Sequence, residues 1–61
     1  MYYVEAKTTV GFQIIARHSA KAYAITHAKT QNRRTMRETR AYHGYTGDLV
    51  ASFPAAGNRR V

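Results

Sequence analysis

The stretch Tyr42-His43-Gly44-Tyr45-Thr46-Gly47-Asp48-Leu49-Val50-Ala51-Ser52-Phe53-Pro54 decides the fold. Tyr42 to Tyr45 is strand-like and Thr46-Gly47-Asp48 has turn chemistry. Leu49 to Phe53 reads as the clearest late strand, with Leu49, Ala51 and Phe53 on one face. Taken without this tail, Thr35 to Tyr45 suits a strand or a continued helix, because Met36, Arg37, Glu38, Arg40 and Ala41 are all comfortable in a helix. The tail favours a second hairpin, roughly Arg37 to Tyr45 and Leu49 to Phe53. Pro54 removes a backbone donor and ends the pairing, which leaves 55–61 as a loose, basic C-terminal tail.

Upstream, Tyr2 to Thr8 alternates, with Tyr2, Val4 and Ala6 on one side and Tyr3, Glu5 and Lys7 on the other. Phe12 to Arg17 repeats the pattern and places Phe12, Ile14 and Ala16 together, while Thr9-Val10-Gly11 is short enough for a hairpin turn. Ser19 then reads as an N-cap, and Ala20 to Gln31, rich in alanine and free of Gly and Pro, reads as a helix. Its apolar stripe runs through Ala24, Ile25 and Ala28. The expectation is one α+β domain over 1–54, an antiparallel ββαββ sheet with the helix packed on one face and the other face open.

Sixty-one residues make one small domain with a thin core. Ten of the residues counted in the 44% hydrophobic fraction are alanine, and only ten are Leu, Ile, Val or Phe. Five tyrosines and two phenylalanines must therefore supply much of the buried area. Tyr2 and Tyr23 are expected to pack, and Tyr3, Tyr42 and Tyr45 to lie on the open face. So little apolar mass also points to a homodimer or a stable complex with a partner. With no cysteine, neither disulfides nor a thiolate metal site can reinforce the core. The N-terminus has no basic, apolar leader pattern and no run approaches a membrane span, so a cytoplasmic protein without membrane contact is expected.

A net charge of +7 predicts attraction to polyanions. The densest cluster, Lys29 to Arg40, holds Lys29, Arg33, Arg34, Arg37 and Arg40 against the single acid Glu38, with amides and hydroxyls between. Arginine forks suit phosphate oxygens, and Tyr42 and Tyr45 just beyond can stack on bases. A solvated helix end followed by a charged edge strand accounts for part of the same charge. His18, His27 and His43 have no metal-ligand spacing, and the acids Glu5, Glu38 and Asp48 are scattered. No catalytic constellation is legible, and no metal or cofactor is expected. The sequence thus points to a non-enzymatic binder of DNA or RNA.

A second reading comes from resemblance. Tyr2-Tyr3-Val4-Glu5-Ala6, Gly11-Phe12-Gln13-Ile14-Ile15-Ala16 and the helix opening Ser19-Ala20-Lys21-Ala22, in a hairpin, helix, hairpin order, look like small phage-encoded inhibitor proteins. Two groups share this pattern over about Tyr2 to Phe53: anti-CRISPR proteins of sheet-plus-helix shape, and the T7-type phage inhibitor of host RNA polymerase. The T7-type inhibitor is acidic, whereas this chain is basic. The resemblance implies a phage or mobile-element protein that docks on a host nucleic-acid-handling protein complex and blocks it.

Overall fold

A computed structural model describes residues 1–55 of the chain. The expected basic tail, 55–61, lies outside the described residues except for Ala55. The elements run β1 (Tyr2–Thr8), β2 (Gly11–His18), α1 (Lys21–Thr35), β3 (Thr39–His43) and β4 (Leu49–Phe53). All adjacent strands pair antiparallel in the order β2-β1-β3-β4, and one helix covers one face, giving the expected ββαββ architecture. Because β2 and β3 both pair antiparallel with β1, they run parallel to each other. Such a pair needs a crossover, and α1 supplies it across β1. Among the described residues, no helix is long and apolar enough to cross a membrane.

The first hairpin turns at Thr9-Val10, with Gly11 at φ 110°, where a side chain would be strained. Thr8 fixes the turn: its hydroxyl donates to the Gly11 carbonyl at 2.7 Å and accepts from the Val10 N–H at 3.2 Å. The central pair β1 and β3 is extended past the strands by the Gly44 N–H, which donates to the Met1 carbonyl at 2.8 Å. A Cβ at Gly44 would stand 2.8 Å from that same oxygen, so this approach requires glycine.

Alternation in β1 is borne out. Val4 and Ala6 are buried with Ala24, Ala28 and Ala41, and Tyr2, Ala16, Val50, Ala51 and Phe53 pack around this cluster. Alanines on both layers let the helix approach the sheet closely, but they leave Val4 and Thr39 as the largest side chains that are fully buried. Dispersion contacts and apolar area are accordingly few for a fold of this size.

Both edge strands depart from simple alternation. Val4 pairs with Ala16, but Glu5 pairs with Ile14, so Ile15 is an extra residue in β2. Phe12 and Ile14 consequently lie on the open face with Glu5 and Lys7, while Ala16 stays on the helix face; the three do not share a side as the sequence suggested. In β4, Ala41 pairs with Ala51 and Tyr42 with Leu49, which makes Val50 the extra residue. Leu49 is thereby turned to the open face and is 58% exposed, away from Ala51 and Phe53. An extra residue disrupts the ladder at a sheet edge and bends the strand, the usual place for such bulges.

The helix also differs from the sequence reading. It begins one residue after Ala20, whose extended backbone precedes the first turn, and Ser19 makes no cap bond. It continues to Thr35 and stops at Met36, which takes a left-handed conformation (φ 62°) while its N–H donates to the Asn32 carbonyl at 2.9 Å. The buried stripe is Ala24, Ala28 and Asn32, four residues apart, with Ile25 only half-buried. Asn32 replaces an apolar residue for a specific reason. Its amide donates to the carbonyls of Arg37 (2.9 Å) and Pro54 (2.8 Å), with a longer contact to that of Phe53 (3.4 Å). One side chain thus ties the end of the helix to the start of β3 and the end of β4. The clamped turn moves the start of β3 to Thr39, and the turn at Gly44 to Thr46 ends it at His43, inside the expected Arg37–Tyr45.

Candidate nucleic-acid interface

The outward side of α1 carries the larger positive surface. From Lys21 to Thr35 the helix has no carboxylate, and Lys21, Lys29, Arg33 and Arg34 are all exposed. Lys29 with Arg33, and Thr26, Thr30 and Arg34, are spaced by four and form neighbouring columns along one side of the helix. Arg37 is exposed just past the helix end, where Asn32 holds its carbonyl. Lys29, Arg33, Arg34 and Arg37 therefore gather at one end of the molecule. Arg33 and Arg34 lie in the last turn, where the helix dipole also favours cations.

Arg40 and Tyr42 stand elsewhere. They project from β3 onto the open face of the sheet, opposite the layer that holds the helix. Arg40 Nε is 2.8 Å from Glu5 Oε1, and the Tyr42 hydroxyl donates to Glu5 Oε2 at 3.1 Å. The Arg40 guanidinium also lies over the Phe12 ring at 3.8 Å from its centroid, with Lys7 on the same ring at 5.6 Å. Burial, followed by the hydrogen bond to Glu5 and that carboxylate's charge, raises the Tyr42 phenol above its ordinary value near 10, with Arg40 partly opposing. Tyr45 sits in the turn between β3 and β4 and is 91% exposed. The basic segment that is continuous in sequence is thus divided between two opposed surfaces.

Comparisons with protein-family models, curated proteins and solved structures find no match to this chain. The functional reading rests on the side chains themselves.

The histidines have local tasks. His18 Nε2 and His27 Nδ1 are 2.9 Å apart with their rings edge to face, which links the end of β2 to the middle of α1. Such a bond requires one nitrogen bearing hydrogen and one bare. His43 lies apart from them. Its Nδ1 accepts from the Tyr45 and Thr46 N–H groups at 3.2 and 3.3 Å, and its ring packs edge-on to Tyr2 at 4.9 Å. Tyr23, expected to pack, projects outward and is 69% exposed, because the buried helix stripe runs through Ala24 and Ala28 beside it.

Three open-face residues were absent from the sequence-based site. Lys7 and Arg17 flank the aromatic residues of the sheet, and Phe12 is the ring on which Arg40 rests. The alternation of Tyr3, Glu5 and Lys7 was a usable signal for the first strand. Nothing local in Phe12 to Arg17 reveals that a bulge separates Phe12 from Ala16.

Proposed function

We propose that this protein is a non-catalytic nucleic-acid-binding module that engages phosphates through the outward face of α1, with Lys29, Arg33 and Arg34 as principal contacts and Arg37 extending the surface. The observation that carries the reading is the acid-free helix itself: exposed cations in neighbouring columns, interleaved with the hydroxyls of Thr26 and Thr30. Hydroxyls and guanidinium forks are the groups that bind phosphate oxygens, and such contacts position a protein without reading sequence. A non-catalytic role is consistent with the engagement of Glu5 by Arg40 and Tyr42, and of the three histidines by neighbouring groups.

The test is duplex DNA binding as a function of salt. For a surface engaging roughly four phosphates, log affinity should fall with log salt at a slope of about −0.9 per phosphate. Arg33→Ala with Arg34→Ala should reduce that slope by up to about two for every sequence tried. Salt-independent binding, or none, would overturn the reading.

The exposed ring of Tyr45 favours a second reading, in which the module is a phage-type inhibitor anchored on a host nucleic-acid-handling protein complex. Capture from a bacterial lysate that survives nuclease treatment and is lost in Tyr45→Ala would support it over the first.

A further inference from the structure

The open face of the sheet has an order unrelated to the helix. Across the strands, one row reads Arg17, Tyr3, Tyr42, Leu49, the next reads Ile14, Glu5, Arg40, Ser52, and a third begins with Phe12 and Lys7. Tyr3 and Tyr42 meet edge to face with ring centroids 5.6 Å apart. Two depressions lie beside them. One is lined by Tyr3 and by Ile14, Ile15, Ala16 and Arg17 around the β2 bulge, the other by Glu5, Arg40, Tyr42, Gly47 and Leu49.

Charge decides what can sit there. Glu5 is the one carboxylate on the strands of this face, and Arg40 and Tyr42 engage both of its oxygens. Lys7 and Arg17 are both exposed and are not salt-bridged among the described residues. Arg17 stands opposite Tyr3, four residues from Lys7 along β1, so the two cations are about 13 Å apart along the strand, Arg17 at the end of the row of Tyr3 and Tyr42 and Lys7 beside Phe12. Half-buried tyrosine rings and exposed aliphatic side chains beside cations match a ligand with flat apolar groups on a polyanionic chain.

We infer that the open sheet face is a second binding site, which takes single-stranded nucleic acid by stacking bases on Tyr3 and Tyr42 while Lys7 and Arg17 hold the phosphates. The inference rests on the reading that the chain binds nucleic acid, but it places a chemically distinct site on the opposite layer. Base stacking on aromatic rings tolerates any sequence, since every base has a π-face. Duplex DNA hides those faces, so the two layers should prefer different forms of nucleic acid.

The experiment compares three fluorescein-labelled probes of equal length by anisotropy: oligo-dT, an abasic oligonucleotide and a duplex. Wild-type protein should bind oligo-dT more tightly than the abasic strand, and oligo-dT should quench the tyrosine emission, which no tryptophan obscures. Tyr3→Leu and Arg17→Glu should each weaken oligo-dT about tenfold while leaving the duplex within about twofold. Tyr3→Phe, which keeps the ring and its packing, should bind oligo-dT as wild type does, and circular dichroism checks that each variant is folded. If Arg33→Glu weakens all three probes and the sheet variants change none, the sheet site is wrong and the helix reading stands. If no probe binds, both fail. Sedimentation showing a dimer that Leu49→Lys dissociates, with oligo-dT unable to compete, would assign the face to a second copy of the chain and overturn the inference.

Discussion

Glu5 and Arg40 are direct partners across the two central strands, and their 2.8 Å ion pair engages the one arginine of the Lys29 to Arg40 cluster that lies on the sheet. The pair is partly exposed, with side-chain accessibilities of 39% for Arg40 and 13% for Glu5, so its contribution to stability is small, about 0.2–1 kcal/mol. Its larger effect is on charge. Glu5→Gln should release Arg40, strengthen oligo-dT binding and steepen its salt slope by up to about one phosphate equivalent, about −0.7 on a single strand. Anisotropy at several salt concentrations checks this; an unchanged slope means that Arg40 stays on the Phe12 ring.

Asn32 should be the most sensitive polar position. Asn32→Ala removes the amide donor from the Pro54 carbonyl and leaves the Arg37 carbonyl with the Thr39 hydroxyl at 3.0 Å, and should cost about 1–3 kcal/mol. Asn32→Asp should cost more at neutral pH, because a carboxylate only accepts and would face carbonyl oxygens. Its protonated form can donate, so the folded state would raise that carboxyl's pKa. The variant's stability should therefore be greater at acidic pH and be lost as pH rises through the raised value. Urea unfolding at two pH values measures both effects.

Met36 ends the helix in a left-handed conformation that a side chain adopts at a cost of about 1 kcal/mol, and its own side chain is 59% exposed. Met36→Gly should stabilise the protein by about 0.5–1 kcal/mol, less the extra freedom glycine brings to the unfolded chain. A raised thermal midpoint is the expected outcome, with nucleic-acid affinity unchanged.

Gly44→Ala should act in the opposite sense. Its Cβ would meet the Met1 carbonyl oxygen at 2.8 Å and the Tyr3 ring at 3.3 Å, so the end of the central strand pair must shift. A loss of about 1–3 kcal/mol is expected, together with faster hydrogen exchange at the Gly44 to Met1 bond.

Tyr42 gives the fold an alkaline limit. Its phenol is raised in the folded state chiefly by burial and by Glu5, so the unfolded chain loses this proton first. The associated stability is fully present below about pH 10 and declines as pH rises through the higher folded value. A tyrosinate absorbance titration should show one late-titrating group that Tyr42→Phe removes and Glu5→Gln brings closer to ordinary values.

The sequence by itself determined the element order, the turn at Gly11, the limits of β4 and the core-facing residues of β1, because each depends on local periodicity or on a residue's own conformational range. The C-terminal end of α1 was not legible, since Met36 occupies the position where a glycine would have announced the stop. Only the tertiary structure decided the faces of the edge strands. The bulges at Ile15 and Val50 arise from pairing with β1 and β3, and alternation along a single strand carries no record of an extra residue. The same holds for the candidate site. Lys29 to Arg40 is continuous in the chain, but the turn fixed by Asn32 leads it from the helix layer to the sheet, and the side-chain period of two then aims Arg40 and Tyr42 at the open face, where Glu5, some 35 residues earlier in the chain, neutralises Arg40. A cation's availability depends on its neighbours in space, and those are set by strand register.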